Sequence, residues 1–238
     1  MIGSVVSPEL RARVRGAAIP IALAFGRMGL TPNALTVIGF GIAVLAAFAA
    51  AQQAWIAAGL LVVFGGVFDL FDGALARATN KVSRLGAFLD SVFDRAGEAV
   101  LYLGIAIGSL AAQFEQGAIL AASAMGASFM VSYTRAKSES LGFTPGTGMA
   151  NVGVAPREVR LVLLTIGLLL TGALGGIWIA DSDFFSPSLD EGQPVLVATL
   201  ALITILATIT TIQRIVHVTR QTPPESIGAA TPGGDQHP

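Results

Sequence analysis

Long apolar runs fill the chain between residues 31 and 216, and short polar segments separate them. A helix needs about 20 apolar residues to cross the hydrocarbon core of a bilayer. Six runs reach this length, the second and third by continuing through a few acidic residues. The pattern predicts an all-α integral membrane fold with six transmembrane helices. The predicted spans are residues 31–51, 54–78, 84–112, 117–138, 156–180 and 194–216.

The two ends of the chain differ from this apolar middle. Residues 1–30 place apolar side chains at three- and four-residue spacing, with the arginines off that stripe. This predicts an N-terminal amphipathic helix lying in the membrane surface. A cleaved signal peptide is the alternative, and Pro20 and the arginines on both sides of the apolar run argue against it. Residues 221–238 hold little to bury and predict a disordered tail, which leaves residues 31–220 as the six-helix transmembrane domain.

The composition agrees with a membrane protein and narrows its chemistry. Hydrophobic residues make up 53% of the 238 residues, charged residues 12%, and the mean hydropathy is +0.73. The net charge of −1 argues against a nucleic-acid partner. The chain has no cysteine, which excludes a disulfide framework, a thiolate metal site and a thiol nucleophile. Carboxylates are therefore the metal ligands to consider.

The basic residues are distributed unevenly between the two sides of the predicted bundle. All fourteen Lys and Arg lie in the terminal segments, in the loops 79–83 and 139–155, or in the helix turns nearest those loops. The loops of the opposite side carry only Glu115 and the acids of residues 181–191. Because basic loops stay in the cytoplasm, we predict a multi-pass protein of the cytoplasmic membrane. Both termini and the active site then face the cytoplasm.

Four acids stand out within the second and third spans. Asp69 and Asp72 are three residues apart, and Asp90 and Asp94 are four apart, so each pair shares one helix face. Acidic groups are costly among apolar helices and usually mark a functional site. Four carboxylates at one place cannot all stay ionised without cations between them. Oxygen ligands suit Mg²⁺ or Mn²⁺, and we predict two such ions per site.

The residues next to these acids indicate a phosphate-containing substrate. Gly73 follows Asp72 and lets a ligand approach the helix backbone. Arg77 lies one turn further on that face, where a guanidinium can bind a phosphate through two hydrogen bonds. The combination predicts phosphoryl transfer with a diphosphate substrate. The alternative is that the acids only form buried ion pairs with Arg77, Arg84 and Arg95. We assign no catalytic role to Arg95 and Glu98.

Eight residues of the 69–94 stretch carry a family resemblance: Asp69, Asp72, Gly73, Ala76, Arg77, Gly86, Asp90 and Asp94. Their spacing resembles the signature of the CDP-alcohol phosphotransferase family at every fixed position. Members of that family move a phosphoalcohol from a CDP-linked lipid to an acceptor hydroxyl and release CMP. They are usually homodimers, and six spans behind a surface helix are similar to their layout.

The resemblance implies a role for each matching residue. Asp69, Asp72 and Asp90 would be metal ligands, and Asp94 would contact the second metal and act as the general base. The residues that would hold the CDP-lipid are Gly73, Ala76, Arg77 and Gly86, with the Ser83 hydroxyl near the nucleotide.

A second cluster is basic and lies at the ends of three predicted helices: Arg135, Lys137, Arg157, Arg160 and Arg214. We predict that it binds the phosphate of the acceptor. The alternative is that these residues only flank the membrane on its cytoplasmic side. The segments 132–139 and 153–160 are similar to those of the phosphatidylinositol phosphate and archaetidylinositol phosphate synthases within the family. That subgroup binds inositol 1-phosphate.

The sequence therefore favours transfer of a phosphatidyl group from CDP-diacylglycerol to inositol 1-phosphate, giving phosphatidylinositol phosphate and CMP. One alternative keeps the reaction and uses glycerol 3-phosphate as the acceptor. Another, of a different class, is a membrane cation transporter, against which Gly73, Arg77 and Gly86 argue. The Gly104-x3-Gly108 and Gly172-x3-Gly176 patterns allow close helix contact but are common in any bundle, so the expected homodimer follows from the family resemblance.

Overall fold

A computed structural model describes residues 8–143, 149, 152–175 and 192–221, with side chains from residue 16 onwards. The acidic loop 181–191, the predicted end of the fifth span and the predicted tail beyond Gln221 lie outside the described residues. Within that part the chain forms seven α-helices. They are α1 (Pro8–Arg27), α2 (Pro32–Ala51), α3 (Trp55–Ala78), α4 (Arg84–Ala111), α5 (Glu115–Ser140), α6 (Arg157–Leu174) and α7 (Gln193–Thr219).

Every predicted span coincides with one of the helices α2 to α7, so the all-α prediction is confirmed. In the described part of the chain, α2, α3, α5 and α7 are long and apolar enough to cross a membrane. Several helices of this kind are typical of a multi-pass membrane protein. α4 carries five charged residues and α6 is described over only 18 residues, which sets both apart from the other four. The six-span layout and the surface position of α1 stay predictions.

Short turns with defined chemistry join the helices α2 to α5. Gln53, Asn80 and Gln113 each adopt a positive φ, of 61°, 54° and 57°, and reverse the chain in a few residues. α2 begins with Thr31, whose hydroxyl accepts a hydrogen bond from the Ala34 N–H at 3.2 Å. Ser83 caps α4 in the same way. Because the turn between α3 and α4 is so short, the acids of the two helices lie at matching depth.

α2 packs against both α3 and α4. α5 packs on α4 and α7, while α6 packs on α3 and α7. The main core is built from small and aliphatic side chains between these helices, with Trp55, Tyr102 and Phe114 as its aromatic members. A smaller core joins α1 to α3, where Phe25 contacts Phe68 and Phe71. The helix α1 is therefore fixed directly against the segment that carries Asp69 and Asp72.

Three of the glycines in the two Gly-x3-Gly patterns lie in the described part of the chain, and they serve packing within it. Gly104 and Gly108 of α4 face the backbone of Ala47 and Ala50 of α2. Gly172 of α6 lies against Trp55 at the start of α3, and Gly176 lies outside the described residues. These contacts explain the glycines without a second copy of the chain. The expected homodimer stays a prediction and does not rest on them.

We predict that Gly104→Ala destabilises the bundle. The added methyl group would overlap the Ala47 carbonyl group, and such overpacking typically costs about 1–3 kcal/mol. The midpoint of thermal unfolding in detergent should fall by several degrees. Gly126→Ala is the matched control, since no described atom lies within 4 Å of its added methyl group. Equal midpoints for the two variants would contradict this packing.

Candidate active site

The four predicted metal ligands line one region between α2, α3, α4 and α6. Asp69 and Asp94 both border a cavity whose other walls are largely apolar and rich in glycine. Asp90 lies within electrostatic range of Asp69, and Asp72 within range of both. The four acids therefore lie in one neighbourhood of the bundle.

Arg157, at the start of α6, links the acids of the two helices. Its Nη1 lies 2.8 Å from Asp94 Oδ1, and its Nη1 and Nη2 each lie 3.2 Å from Asp69 Oδ2. One guanidinium group is thus shared by carboxylates of α3 and α4. Its Nε is buried and has no hydrogen-bond partner among the described residues. One N–H donor of Arg157 is therefore unpaired among the described residues.

Asp72 is held by a residue that the sequence analysis did not single out. Its Oδ2 accepts a hydrogen bond of 2.7 Å from the hydroxyl of Thr36 on α2, and the residue is only 6% exposed. Asp90 lies within electrostatic range of Arg157 and Arg95, and Asp94 lies 3.5 Å from Arg95. The signal for Thr36 in the sequence was weak, because a threonine in an apolar helix is common and nothing ties it to residue 72.

The donor set suits a hard divalent cation, because it consists of carboxylate oxygens. Within the described residues, however, no three acidic or histidine side chains are gathered closely enough to form a ligand group. Among the described residues, Arg157 and Arg95 form the ion pairs of these acids. Arg77 and Arg84, which the sequence also offered as ion-pair partners, form no ion pair with the four acids in this part of the chain. Four carboxylates thus face two guanidinium groups, which leaves negative charge for a divalent cation to neutralise.

The predicted CDP-lipid residues lie at the ends of α3 and α4 near the polar turn. The Arg77 guanidinium folds back over Gly73, where an added Cβ would lie 3.1 Å from its Nη1. Ser83 caps α4 by accepting a hydrogen bond of 3.0 Å from the Gly86 N–H. An added Cβ at Gly86 would meet that hydroxyl and the Asn33 side chain. Ala76 is partly buried on the same helix as Gly73.

The basic cluster divides into buried and accessible members. Arg160 is 1% exposed, bonds to both carboxylate oxygens of Glu98 at 2.8 and 2.9 Å, and also donates to the Ala155 carbonyl. Arg214 is 3% exposed and donates to the carbonyl groups of Val152 and Val131. The contacts of these two arginines therefore lie inside the protein.

The other three members keep their charged groups accessible. Arg135 pairs with Glu139 at 2.9 Å on the surface of α5, Lys137 is exposed, and Arg157 lies at the cavity. Arg214 lies within electrostatic range of Arg135 and Arg160, so these three arginines are near one another, and their binding of the acceptor phosphate stays a prediction. The arginine that joins this cluster to the acids is Arg157.

The chain is similar to known proteins over most of its length. The family model for CDP-alcohol phosphatidyltransferase matches residues 29–218. The archaetidylinositol phosphate synthase of Pyrococcus horikoshii is 36% identical over 171 residues, which cover 72% of this chain and 86% of that protein.

Solved structures of the phosphatidylinositol phosphate synthase of Mycobacterium tuberculosis share the fold. The crystal structure with CDP-DAG bound is 26% identical, covers 92% of this chain and 98% of that one, and has a TM-score of 0.71. The structure in complex with manganese and citrate is 25% identical, covers 91% and 93%, and has the same TM-score. The family match spans the described helices α2 to α7, including both aspartate pairs. The chain belongs to the CDP-alcohol phosphatidyltransferase family.

Proposed function

We propose that this enzyme transfers the phosphatidyl group of CDP-diacylglycerol to inositol 1-phosphate, giving phosphatidylinositol phosphate and CMP. The observation that carries the proposal is the position of Arg157, which contacts Asp69 and Asp94 and belongs to the basic cluster. If this arginine holds the phosphate of the acceptor, the hydroxyl groups of the acceptor's ring would lie next to Asp94. The names and structures of the relatives support the same substrates.

In the proposed reaction Asp94 is the general base. Its carboxylate takes the proton of the acceptor hydroxyl as the hydroxyl oxygen attacks the lipid-linked phosphorus. A new P–O bond forms to the inositol ring, and the P–O bond to CMP breaks, with the electron pair leaving on CMP. Asp94 suits this role because its side chain borders the cavity and remains 17% exposed.

We further propose that Asp69, Asp72, Asp90 and Asp94 hold two divalent cations, Mg²⁺ or Mn²⁺. The all-oxygen donor set and its excess negative charge support this, as does the manganese complex of the M. tuberculosis relative. When bound, such cations would neutralise the diphosphate of the CDP-lipid. Arg77 would bind that diphosphate. The lack of a side chain at Gly73 leaves room for the Arg77 guanidinium group. Ala76, Ser83 and Gly86 would complete the contacts.

The acceptor site in this proposal uses the accessible cations. Arg157, whose side chain is 27% exposed, would bind the acceptor phosphate together with Lys137 and Arg135. Arg160 and Arg214 would support the site from within the protein, because their described hydrogen bonds fix the segment that leads into α6.

We also propose the arrangement of the chain in the membrane. Helices α4 and α6 would cross together with the four more apolar helices, since the family layout has six spans. Residues 1–30 would lie in the cytoplasmic surface and residues 31–220 would form the catalytic domain, with residues 221–238 as a cytoplasmic tail. The protein would act as a homodimer in the cytoplasmic membrane, with the acids facing the cytoplasm.

Asp94→Asn should abolish turnover and leave the fold intact. The amide cannot accept the hydroxyl proton, and loss of a general base costs about 100- to 10,000-fold in rate. CMP release from CDP-diacylglycerol and inositol 1-phosphate measures the effect, and the unfolding midpoint checks the fold. Glu115→Gln, an exposed acid on the opposite side of the bundle, is the control and should keep full activity. Full turnover in Asp94→Asn would refute its role as the base.

Arg157→Gln should raise the KM for inositol 1-phosphate by about tenfold or more, with little change in the KM for CDP-diacylglycerol. The kcat should also fall, because Asp94 loses its ion pair. Arg220→Gln, at the exposed end of α7, should change neither constant. An unchanged acceptor KM in Arg157→Gln would exclude Arg157 from the acceptor site.

Competition between inositol 1-phosphate and glycerol 3-phosphate in one assay, read by mass spectrometry of the lipid product, identifies the acceptor.

A double-mutant cycle tests whether Arg160 stabilises the protein around the acceptor site or binds the acceptor itself. Arg160→Met or Glu98→Leu alone leaves a buried charge without its partner and should destabilise the protein by about 3–5 kcal/mol. The double variant removes both charges and should recover most of the unfolding midpoint and the acceptor KM. If it regains stability while the acceptor KM stays high, Arg160 binds the acceptor directly.

A further inference from the structure

The helix α2, which packs against both acid-bearing helices, contributes a hydroxyl group to the acid site. Thr36 is 7% exposed, and its Oγ1 lies 2.7 Å from Asp72 Oδ2 and 3.2 Å from the carbonyl oxygen of Pro32. The hydroxyl has one hydrogen to donate, and the carboxylate is the nearer and the charged acceptor. Hydrogen bonds to a charged oxygen are shorter and stronger than those between neutral groups. The Asp72 carboxylate is therefore oriented by α2.

One turn further along α2, Gly39 makes room for the other acid of α3. A Cβ built on Gly39 would lie 3.1 Å from Asp69 Oδ1 and 3.6 Å from the Cβ of Phe68. The first distance is tighter than ordinary van der Waals contact, so any side chain here would push the carboxylate away from α2. Gly41, two residues on, has no described atom within 4 Å of such a Cβ. The close approach is thus specific to Gly39.

We propose that Thr36 and Gly39 form a positioning face on α2 that fixes the carboxylates of Asp72 and Asp69 for divalent-cation binding. This inference rests on the proposed metal site and names residues outside the aspartate signature. The Thr36 hydroxyl holds Asp72 through Oδ2 and so fixes the direction of its carboxylate. Gly39 sets how closely the Asp69 carboxylate approaches the α2 backbone. Neither residue is a catalytic residue, because both act through an aspartate.

The physical basis is the cost of orienting a charged ligand. A carboxylate that must rotate into place on binding loses side-chain freedom, whereas one already held by a hydrogen bond loses less. Removing such a supporting partner typically lowers metal affinity by about 10- to 100-fold. The rigid helix α2 suits this role because it also packs on α4, which carries the other two acids.

The experiment measures Mn²⁺ binding to the full-length protein in detergent by electron paramagnetic resonance of the free ion. The variants are Thr36→Val, which keeps the shape without the hydroxyl, Thr36→Ser, which keeps the hydroxyl, Gly39→Ala, and Gly41→Ala as the matched control. Asp72→Asn is the reference for loss of a ligand. Unfolding midpoints with and without Mn²⁺ provide a second readout and show whether each variant folds.

We expect Thr36→Val and Gly39→Ala to raise the Mn²⁺ Kd by about 10- to 100-fold and to reduce the Mn²⁺-induced rise in midpoint. Thr36→Ser and Gly41→Ala should bind as the wild type does. If Asp72→Asn binds Mn²⁺ normally, the proposed metal site itself fails. If Asp72→Asn is weakened while Thr36→Val or Gly39→Ala keeps wild-type affinity, the positioning face is overturned and the metal site stands. Should Thr36→Val not fold, the comparison of Gly39→Ala with Gly41→Ala decides the matter.

Discussion

Acidic side chains on apolar helices stay ionised only where positive charge lies against them, and this constraint organises the centre of the bundle. Asp69 and Asp94 come from different helices and share the single guanidinium group of Arg157. That group holds α3, α4 and the start of α6 at one point. The position of α6 is thus set by electrostatics at its first turn as well as by apolar packing along its length.

The segment before α6 is shaped to hold Arg157 in this place. Gly153 adopts a φ of 117°, which side chains rarely tolerate, and its backbone lies against Thr210 of α7. The Thr210 hydroxyl accepts a hydrogen bond of 2.9 Å from the Ala155 N–H. Arg160 and Arg214 donate to carbonyl groups of the same segment. These two buried arginines therefore stabilise the backbone of this segment through hydrogen bonds to its carbonyl groups.

The site joins two kinds of surface that a phosphatidyltransferase needs. Carboxylates lie on α3 and α4, whereas accessible cations lie on α5 and α6, and Arg157 belongs to both groups. The cavity has largely apolar walls from α2, α3, α4 and α6, with Thr36 and Glu98 as further polar members. An acceptor phosphate would face the accessible cations, whereas the lipid-linked diphosphate would face Arg77 and the divalent cations that the carboxylates would hold.

Local patterns in the sequence suffice to predict the helices, the pairing of the acids on helix faces and the position of Arg77 one turn after Gly73. These features depend on residues at most a few turns apart, where apolar periodicity and helix spacing govern. Which cation contacts which acid depends instead on how the helices pack in three dimensions. Arg157 is 88 residues from Asp69, and Arg160 is 62 residues from Glu98. Thr36 is likewise 36 residues from Asp72.

All the arginines of the basic cluster look alike in the sequence, and the depth at which each is buried follows from how the helices pack. The same packing buries Arg160 and Arg214 in contacts within the protein and places Arg157 at the cavity.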